Sequence, residues 1–240
     1  GDGNSDLLDY SEQTAAVTVD LDNDTMSGGD AVDTIEEFEG VIGGSGNDVL
    51  LGIDGDNGVP WHDNEDQDPL DEHNFLSGGA GNDTIFGYGG NDHIQGGVGN
   101  DTLNGGDGNG DLLDYSEQIA AVTVNLEDNS MSGGDAIDTI SNFEGIMGGA
   151  GNDILTGSST VGVEDDNFID GGAGNDTISG GDGNDRLQGG AGVDNIQAGN
   201  GHFDEVQGGS GSDVLNGGDC NSDVVDYSDQ TAAVTVNLEN

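Results

Sequence analysis

Three nine-residue runs laid end to end constrain this chain more than any other feature: Gly78-Gly79-Ala80-Gly81-Asn82-Asp83-Thr84-Ile85-Phe86, then Gly87 to Gln95, then Gly96 to Asn104. Each reads G-G-x-G-N-D-x-U-x with U aliphatic, except that Tyr88 stands at the second glycine of the middle run. Glycines permit the positive φ angles of a tight turn whose carbonyls converge into one loop, and residues in a strand alternate between its two faces. Each run therefore reads as a turn followed by a short strand. Asp83, Asp92 and Asp101 add carboxylates to the turns, and Ile85, Ile94 and Leu103 are expected to face inward.

A loop of carbonyls and carboxylates with no sulfur suits a hard cation that takes six to eight oxygens, calcium above all; magnesium prefers to keep its waters. Eight runs match G-G-x-G-x-D-x-U in full, starting at Gly43, Gly78, Gly96, Gly148, Gly171, Gly180, Gly189 and Gly208. A single copy would be weak evidence; eight are far beyond coincidence.

These runs resemble the glycine- and aspartate-rich nonapeptides of the RTX (repeats-in-toxin) family. The resemblance implies an all-β, right-handed parallel β-roll or β-helix solenoid with multiple Ca2+ ions bound in the turns. Two nonapeptides would make one coil, so that loops eighteen residues apart stack on one edge. On that basis Asp83 pairs with Asp101 and Asp176 with Asp194, and Asp194 or its loop pairs with Asp213 further along the edge. Asp92 would pair with Asp111, and Asp185 with Asp204, each across one extra residue. The metal-ligating residues implied are Gly44, Gly46 and Asp48; Gly79, Gly81 and Asp83; Gly90 and Asp92; Gly97, Gly99 and Asp101; Gly106, Gly108 and Asp111; Gly149, Gly151 and Asp153; Gly172, Gly174 and Asp176; Gly181, Gly183 and Asp185; Gly190, Gly192 and Asp194; Asp204; Gly209, Gly211 and Asp213; and Asp223.

Forty-eight glycines in strict short periods among 240 residues argue for a quasi-one-dimensional solenoid rather than a count of globular domains. Fifty acidic residues face a single basic one, Arg186, for a formal charge of -49, which speaks against a nucleic-acid or anionic-membrane partner. Such a composition is also that of a disordered chain. One aliphatic buried per nine ordered residues does not offset the entropy of ordering them, so metal binding and folding are expected to be one event. The lone Cys220 cannot form an internal disulfide and reads as a tolerated substitution at a loop glycine. No apolar run reaches transmembrane length. The absence of a starting methionine or signal peptide suggests a processed N-terminus or a fragment.

Residues 1 to 51 align without a gap on residues 106 to 156, and a third copy begins at Gly218. The chain is therefore read as one continuous roll with large repeats 1–105, 106–217 and a truncated 218–240. Each large repeat opens with an aspartate-rich strand (Asp6 to Tyr10), followed by an alternating segment in which Val17, Val19 and Leu21 share one face; Val122, Val124 and Leu126, and Val234, Val236 and Leu238, are their equivalents. In Gly28 to Ile35 and Gly133 to Ile140 alanine replaces the fourth glycine, so structural coils with weak or absent metal sites are expected. One extra residue between Ala198 and Asp204 suggests a bulge. Asn74 and Asn167 stand at the aspartate position of truncated motifs and read as turn asparagines.

The acidic insertion from Gly52 to His73 carries the one tryptophan, Trp61, either an interface anchor or a cover for the roll. Asp54 to Gly58 begins like an EF-hand but places its glycine one position early. His62 and His73 lack the partners of a zinc site. No H-E-x-x-H, G-x-S-x-G or cysteine–histidine arrangement supports catalysis.

Relatives in the RTX family leave the cell by type I secretion and fold outside in calcium. The chain is accordingly read as a non-enzymatic, calcium-rigidified segment of a secreted or cell-surface protein: an adhesin stalk, surface-layer element or extracellular fibre or filament, with copies associating head to tail or touching matrix components. The alternative is the C-terminal calcium module of a secreted protease, lipase or polysaccharide epimerase.

Overall fold

The computed structural model of the protein describes residues 6–30, 32–54, 73–134, 137–159, 166–201, 203–218 and 222–228. Trp61, His62, Cys220, most of the Gly52–His73 insertion and the third copy's alternating segment lie outside these residues. The described part is all β, with strands of two to six residues. That length follows from the motif, which provides one inward aliphatic between successive glycine turns. Among the described residues no helix is long and apolar enough to cross a membrane.

One ten-stranded sheet runs through both large repeats, in the order Leu7–Asp9, Gly40–Ile42, Phe75–Ala80, His93–Val98, Leu112–Asp114, Gly145–Met147, Phe168–Asp170, Arg186–Gln188, Glu205–Gln207 and Val224–Val225. Every neighbouring pair in it is parallel. The register aligns Val41, Leu76, Ile94, Leu113, Ile146, Ile169 and Leu187 in one inward row, and each of them is 0 % exposed.

The opposite wall is two six-stranded sheets. Its inward rows are Ile140, Leu103, Ile85, Leu50 and Val19 in one sheet, and Val124, Leu155, Ile178, Ile196 and Leu215 in the other. The core is the seam between these rows, one aliphatic thick on each side. Ile85, Ile94 and Leu103 all point into it.

The wall is split by a feature that a wholly parallel roll does not contain. Val17–Asp20 pairs antiparallel with Thr25–Gly28, and Val122–Asn125 with Ser130–Gly133. The links between these strands are four residues long, far short of the dozen or more that a parallel crossover needs. Asp20 Oδ1 accepts the Asn23 N–H at 3.0 Å, and Asp24 and Asn129 take φ of +50° and +53° in the turns. Gly29 N–H and Gly134 N–H then bond the carbonyls of Ala16 and Ala121 at 3.0 and 2.9 Å. The glycine pairs Gly28-Gly29 and Gly133-Gly134 therefore close hairpins instead of opening nonapeptide turns. Ala31, Asp135 and Ala136 of those segments lie outside the described residues. The extra residue before Asp204, where a bulge is expected, lies in the turn between Asn195–Gly199 and Glu205–Gln207, and Phe203 there is 68 % exposed.

Candidate metal sites along the turn edges

Along each edge of the roll the motif aspartates form a ladder. Asp83 N–H donates to Asp101 Oδ1 at 2.8 Å, Asp176 N–H to Asp194 Oδ1 at 2.9 Å, and Asp194 N–H to Asp213 Oδ1 at 3.1 Å. On the other edge Asp92 N–H reaches Asp111 Oδ1 at 2.8 Å, Asp185 N–H reaches Asp204 Oδ1 at 2.9 Å, and Asp204 N–H reaches Asp223 Oδ1 at 3.3 Å. The extra residue in those three turns is absorbed without breaking the ladder. One carboxylate oxygen of each lower aspartate thus satisfies the buried amide of the coil above.

The second oxygen is different. Oδ2 of Asp83, Asp101, Asp111, Asp176, Asp194 and Asp204 is buried and accepts no hydrogen bond. Burial raises the pKa of every one of the six: Asp83 to about 7, with the charges of Asp101 and Asp48 adding to the shift, and Asp101, Asp111 and Asp176 to about 6. An ionised, unpartnered oxygen in such a place carries a desolvation cost of several kcal/mol unless a proton or a cation meets it.

Carbonyl oxygens stand beside these carboxylates. A Cβ added at Gly78 would lie 2.5 Å from Asp83 Oδ2 and 2.6 Å from the Gly96 carbonyl oxygen. At Gly189 it would lie 2.5 Å from Asp194 Oδ2 and 2.6 Å from the Gly208 carbonyl oxygen. These two first glycines are therefore notches where one carboxylate oxygen and one carbonyl of the next coil converge. Among the described residues no three His, Cys, Asp or Glu side chains meet at one point. A cation in these turns takes most of its oxygens from the backbone, and a hard ion that accepts many carbonyls fits that donor set.

The second and fourth glycines bring the carbonyls round. Gly79, Gly97, Gly172, Gly190 and Gly209 have φ from +82° to +96°, and Gly81, Gly99, Gly174, Gly192 and Gly211 from +138° to +154°. Gly90, Gly106, Gly181 and Gly183, on the other edge, lie between +99° and +122°; Gly108 is not in this region. A side chain at Gly99 would run into the Gly81 carbonyl oxygen one coil away. Tyr88, at a glycine position, keeps the left-handed conformation with φ of +74° and stacks on Phe86 at 6.0 Å.

Compared with known families, the chain matches the RTX calcium-binding nonapeptide repeat (4 copies) over residues 77–112, 146–159, 161–196 and 198–221. The chain carries RTX calcium-binding nonapeptide repeats. RTX nonapeptides bind calcium at multiple sites, and the six open carboxylates all fall within the matched stretches. These repeats are structural rather than catalytic, and RTX proteins are typically secreted. A search of curated proteins finds no match.

Not every RTX-like loop has an open carboxylate. Asp48 accepts Val17 N–H on Oδ1 and Gly44 N–H on Oδ2, both at 2.8 Å. Asp153 does the same with Val122 at 2.8 Å and Gly149 at 3.0 Å. In these two loops Gly44, Gly46, Gly149 and Gly151 do not take positive φ. Asn74 accepts Ile53 N–H at 2.8 Å and donates to the Glu39 carbonyl at 3.1 Å; Asn167 accepts Ser158 N–H at 2.9 Å and donates to the Glu144 carbonyl at 3.1 Å.

Two residue types were invisible as site components in the sequence. Where an asparagine precedes the aspartate it forms a second ladder, Asn47 accepting Asn82 N–H at 3.0 Å and Asn82 accepting Asn100 N–H at 2.9 Å. Glu144 Oε2 accepts Asp111 N–H at 3.0 Å and takes the ladder position that aspartate holds elsewhere. The recurrence of asparagine at motif position five, and of Phe-Glu-Gly at Phe38 and Phe143, was the available signal.

Proposed function

We propose that the chain is a calcium-rigidified structural segment of a secreted or cell-surface protein, an adhesin stalk, surface-layer element or extracellular fibre, that folds as it binds calcium. The observation that carries this reading is the set of buried, unpartnered carboxylate oxygens of Asp83, Asp101, Asp111, Asp176, Asp194 and Asp204 along a roll whose ten-stranded sheet is parallel throughout. Like charges in such rows hold the coils apart when bare and bind them together when a divalent cation lies between. The ligands in this reading are those six aspartates and the carbonyls of the glycine turns around them, with Asp92, Asp185, Asp213 and Asp223 continuing the same ladders.

The test is a calcium titration followed by far-UV circular dichroism and light scattering on one sample, with magnesium as control. A cooperative coil-to-β transition specific to calcium is expected. No transition at millimolar calcium would sink the reading. Growth of particle mass during the transition is the readout for head-to-tail association; a constant mass would leave a stalk that does not associate.

A further inference from the structure

We propose that calcium occupies two separate blocks of this roll, one from Asp83 to Asp111 and one from Asp176 onward, and that the coils between them form a junction closed by hydrogen bonds and free of metal. The proposal rests on the calcium reading above and adds which aspartates stay outside it.

The grounds are the ladder residues between Asp111 and Asp176. In chain order they are Asp138, Glu144, Asp153 and Asn167, and Glu144 accepts Asp111 N–H on Oε2 at 3.0 Å. Asp138 accepts Asp101 N–H on Oδ1 at 2.9 Å and the Tyr115 hydroxyl on Oδ2 at 2.8 Å. Asp153 has both oxygens on backbone amides, from Val122 and Gly149. Asn167 is neutral, and its amide oxygen and nitrogen are bonded to Ser158 N–H and the Glu144 carbonyl. The position that calcium would fill beside Asp138 and Asp153 is thus taken by a protein donor, the tyrosine hydroxyl in one coil and a glycine amide in the next.

The same arrangement precedes the first block. Tyr10 donates to Asp33 Oδ2 at 3.1 Å, Asp48 is bonded to Val17 and Gly44, and Asn74 to Ile53 and Glu39. Two independent occurrences a little over a hundred residues apart make the closure a property of the repeat.

The hairpin explains why the junction can do without metal. Around Asp138 and Asp153 the core holds Tyr115, Val122, Val124, Leu126, Met131, Ile140, Phe143 and Ile146, all buried. The nonapeptide coils from Ile169 to Ile196 bury one aliphatic per turn. Denser apolar burial and local antiparallel pairing replace the cohesion that calcium supplies elsewhere. Consequently each block responds to calcium on its own, with the junction as a fixed joint between them.

The deciding experiment is an anomalous difference map from crystals of the calcium-loaded chain. Peaks beside Asp83, Asp101, Asp111, Asp176, Asp194 and Asp204, with none within ligand distance of Asp48, Asp138 or Asp153, are expected. A peak at Asp138 or Asp153 comparable to that at Asp176 would overturn the junction while leaving the calcium reading intact; a map with no peaks would remove both. In solution, calorimetric stoichiometry gives the same distinction. The double variant Asp83→Asn with Asp176→Asn is expected to lose about two calcium ions, and Asp48→Asn with Asp153→Asn none. Equal losses from the two double variants would refute the proposal.

Discussion

Asp83 and Asp101 lie on successive coils, and the backbone N–H of Asp83 donates to Asp101 Oδ1 at 2.8 Å while Asp101 Oδ2 remains buried and unpartnered. One carboxylate thereby has two duties, holding the coil above it with one oxygen and facing the turn with the other. The two duties separate by substitution. Asp101→Asn keeps an acceptor for the Asp83 amide and removes the charge, whereas Asp101→Ala removes both. Asp101→Asn is expected to bind about one calcium fewer with its calcium-loaded β content retained. Asp101→Ala should in addition lower the urea midpoint, by about 1–3 kcal/mol of stability, because the Asp83 amide loses its buried acceptor. Identical behaviour of the two variants would count against the division of labour.

Acid should partly replace calcium. In the metal-free roll burial lifts Asp83 to about 7 and Asp101, Asp111 and Asp176 to about 6, against roughly 4 for aspartate in an unfolded chain. Folded pKa values above unfolded ones mean that the folded chain holds protons the unfolded chain has released. The fold is therefore penalised above pH 7, and the penalty fades as pH falls through the folded values and vanishes below the unfolded one. Chelator-treated protein is expected to gain β signal in circular dichroism from about pH 7 down to about pH 4.5. Calcium affinity should weaken over the same window, since bound protons must leave first. A flat signal across that range would contradict the assignment.

Gly99 sits at φ +147° with the Gly81 carbonyl oxygen where a side chain would go. Gly99→Ala is expected to cost about 1–3 kcal/mol in urea denaturation of the calcium-loaded protein, from backbone strain and the clash between coils. Val98, its neighbour in the same turn, is 56 % exposed, and Val98→Ala should stay within about 0.5 kcal/mol.

Tyr115 is 3 % exposed and its hydroxyl is bonded to Asp138, itself 7 % exposed. Tyr115→Phe keeps the ring and strips the donor from a buried carboxylate. A loss of about 1–3 kcal/mol is expected in thermal or urea unfolding. An unchanged midpoint would show that Asp138 finds another donor.

Much of this was legible in the chain because one period governs everything. A nine-residue repeat with an aliphatic at the eighth place puts Ile85, Ile94 and Leu103 inside, and a stack of equal coils brings Asp83 to Asp101 and Asp176 to Asp194. The alternation of Val17, Val19 and Leu21 likewise identified a buried face. It carried no direction: alternating residues look the same in parallel and antiparallel strands, and the short link to Thr25–Gly28 settled the matter.

The motif by itself determined that glycine turns would stack and that carboxylates would line their edges, because glycine takes the positive φ and the close carbonyls of such turns without steric cost. It did not determine which carboxylates stay open. Gly43-Gly44-Ser45-Gly46-Asn47-Asp48 and Gly78-Gly79-Ala80-Gly81-Asn82-Asp83 differ at a single position that points to neither fate. Yet Gly79 takes φ of +92° and leaves Asp83 Oδ2 unpartnered, while Gly44 aims its N–H at Asp48 Oδ2. The difference comes from the coil stacked on each. Gly79 and Asp83 are covered by another nonapeptide turn, whereas Gly44 lies against the carbonyls of Tyr10 and Gln13 at the entrance to the hairpin. A loop's conformation is chosen by its neighbour across the stack, and only the tertiary structure says which neighbour that is.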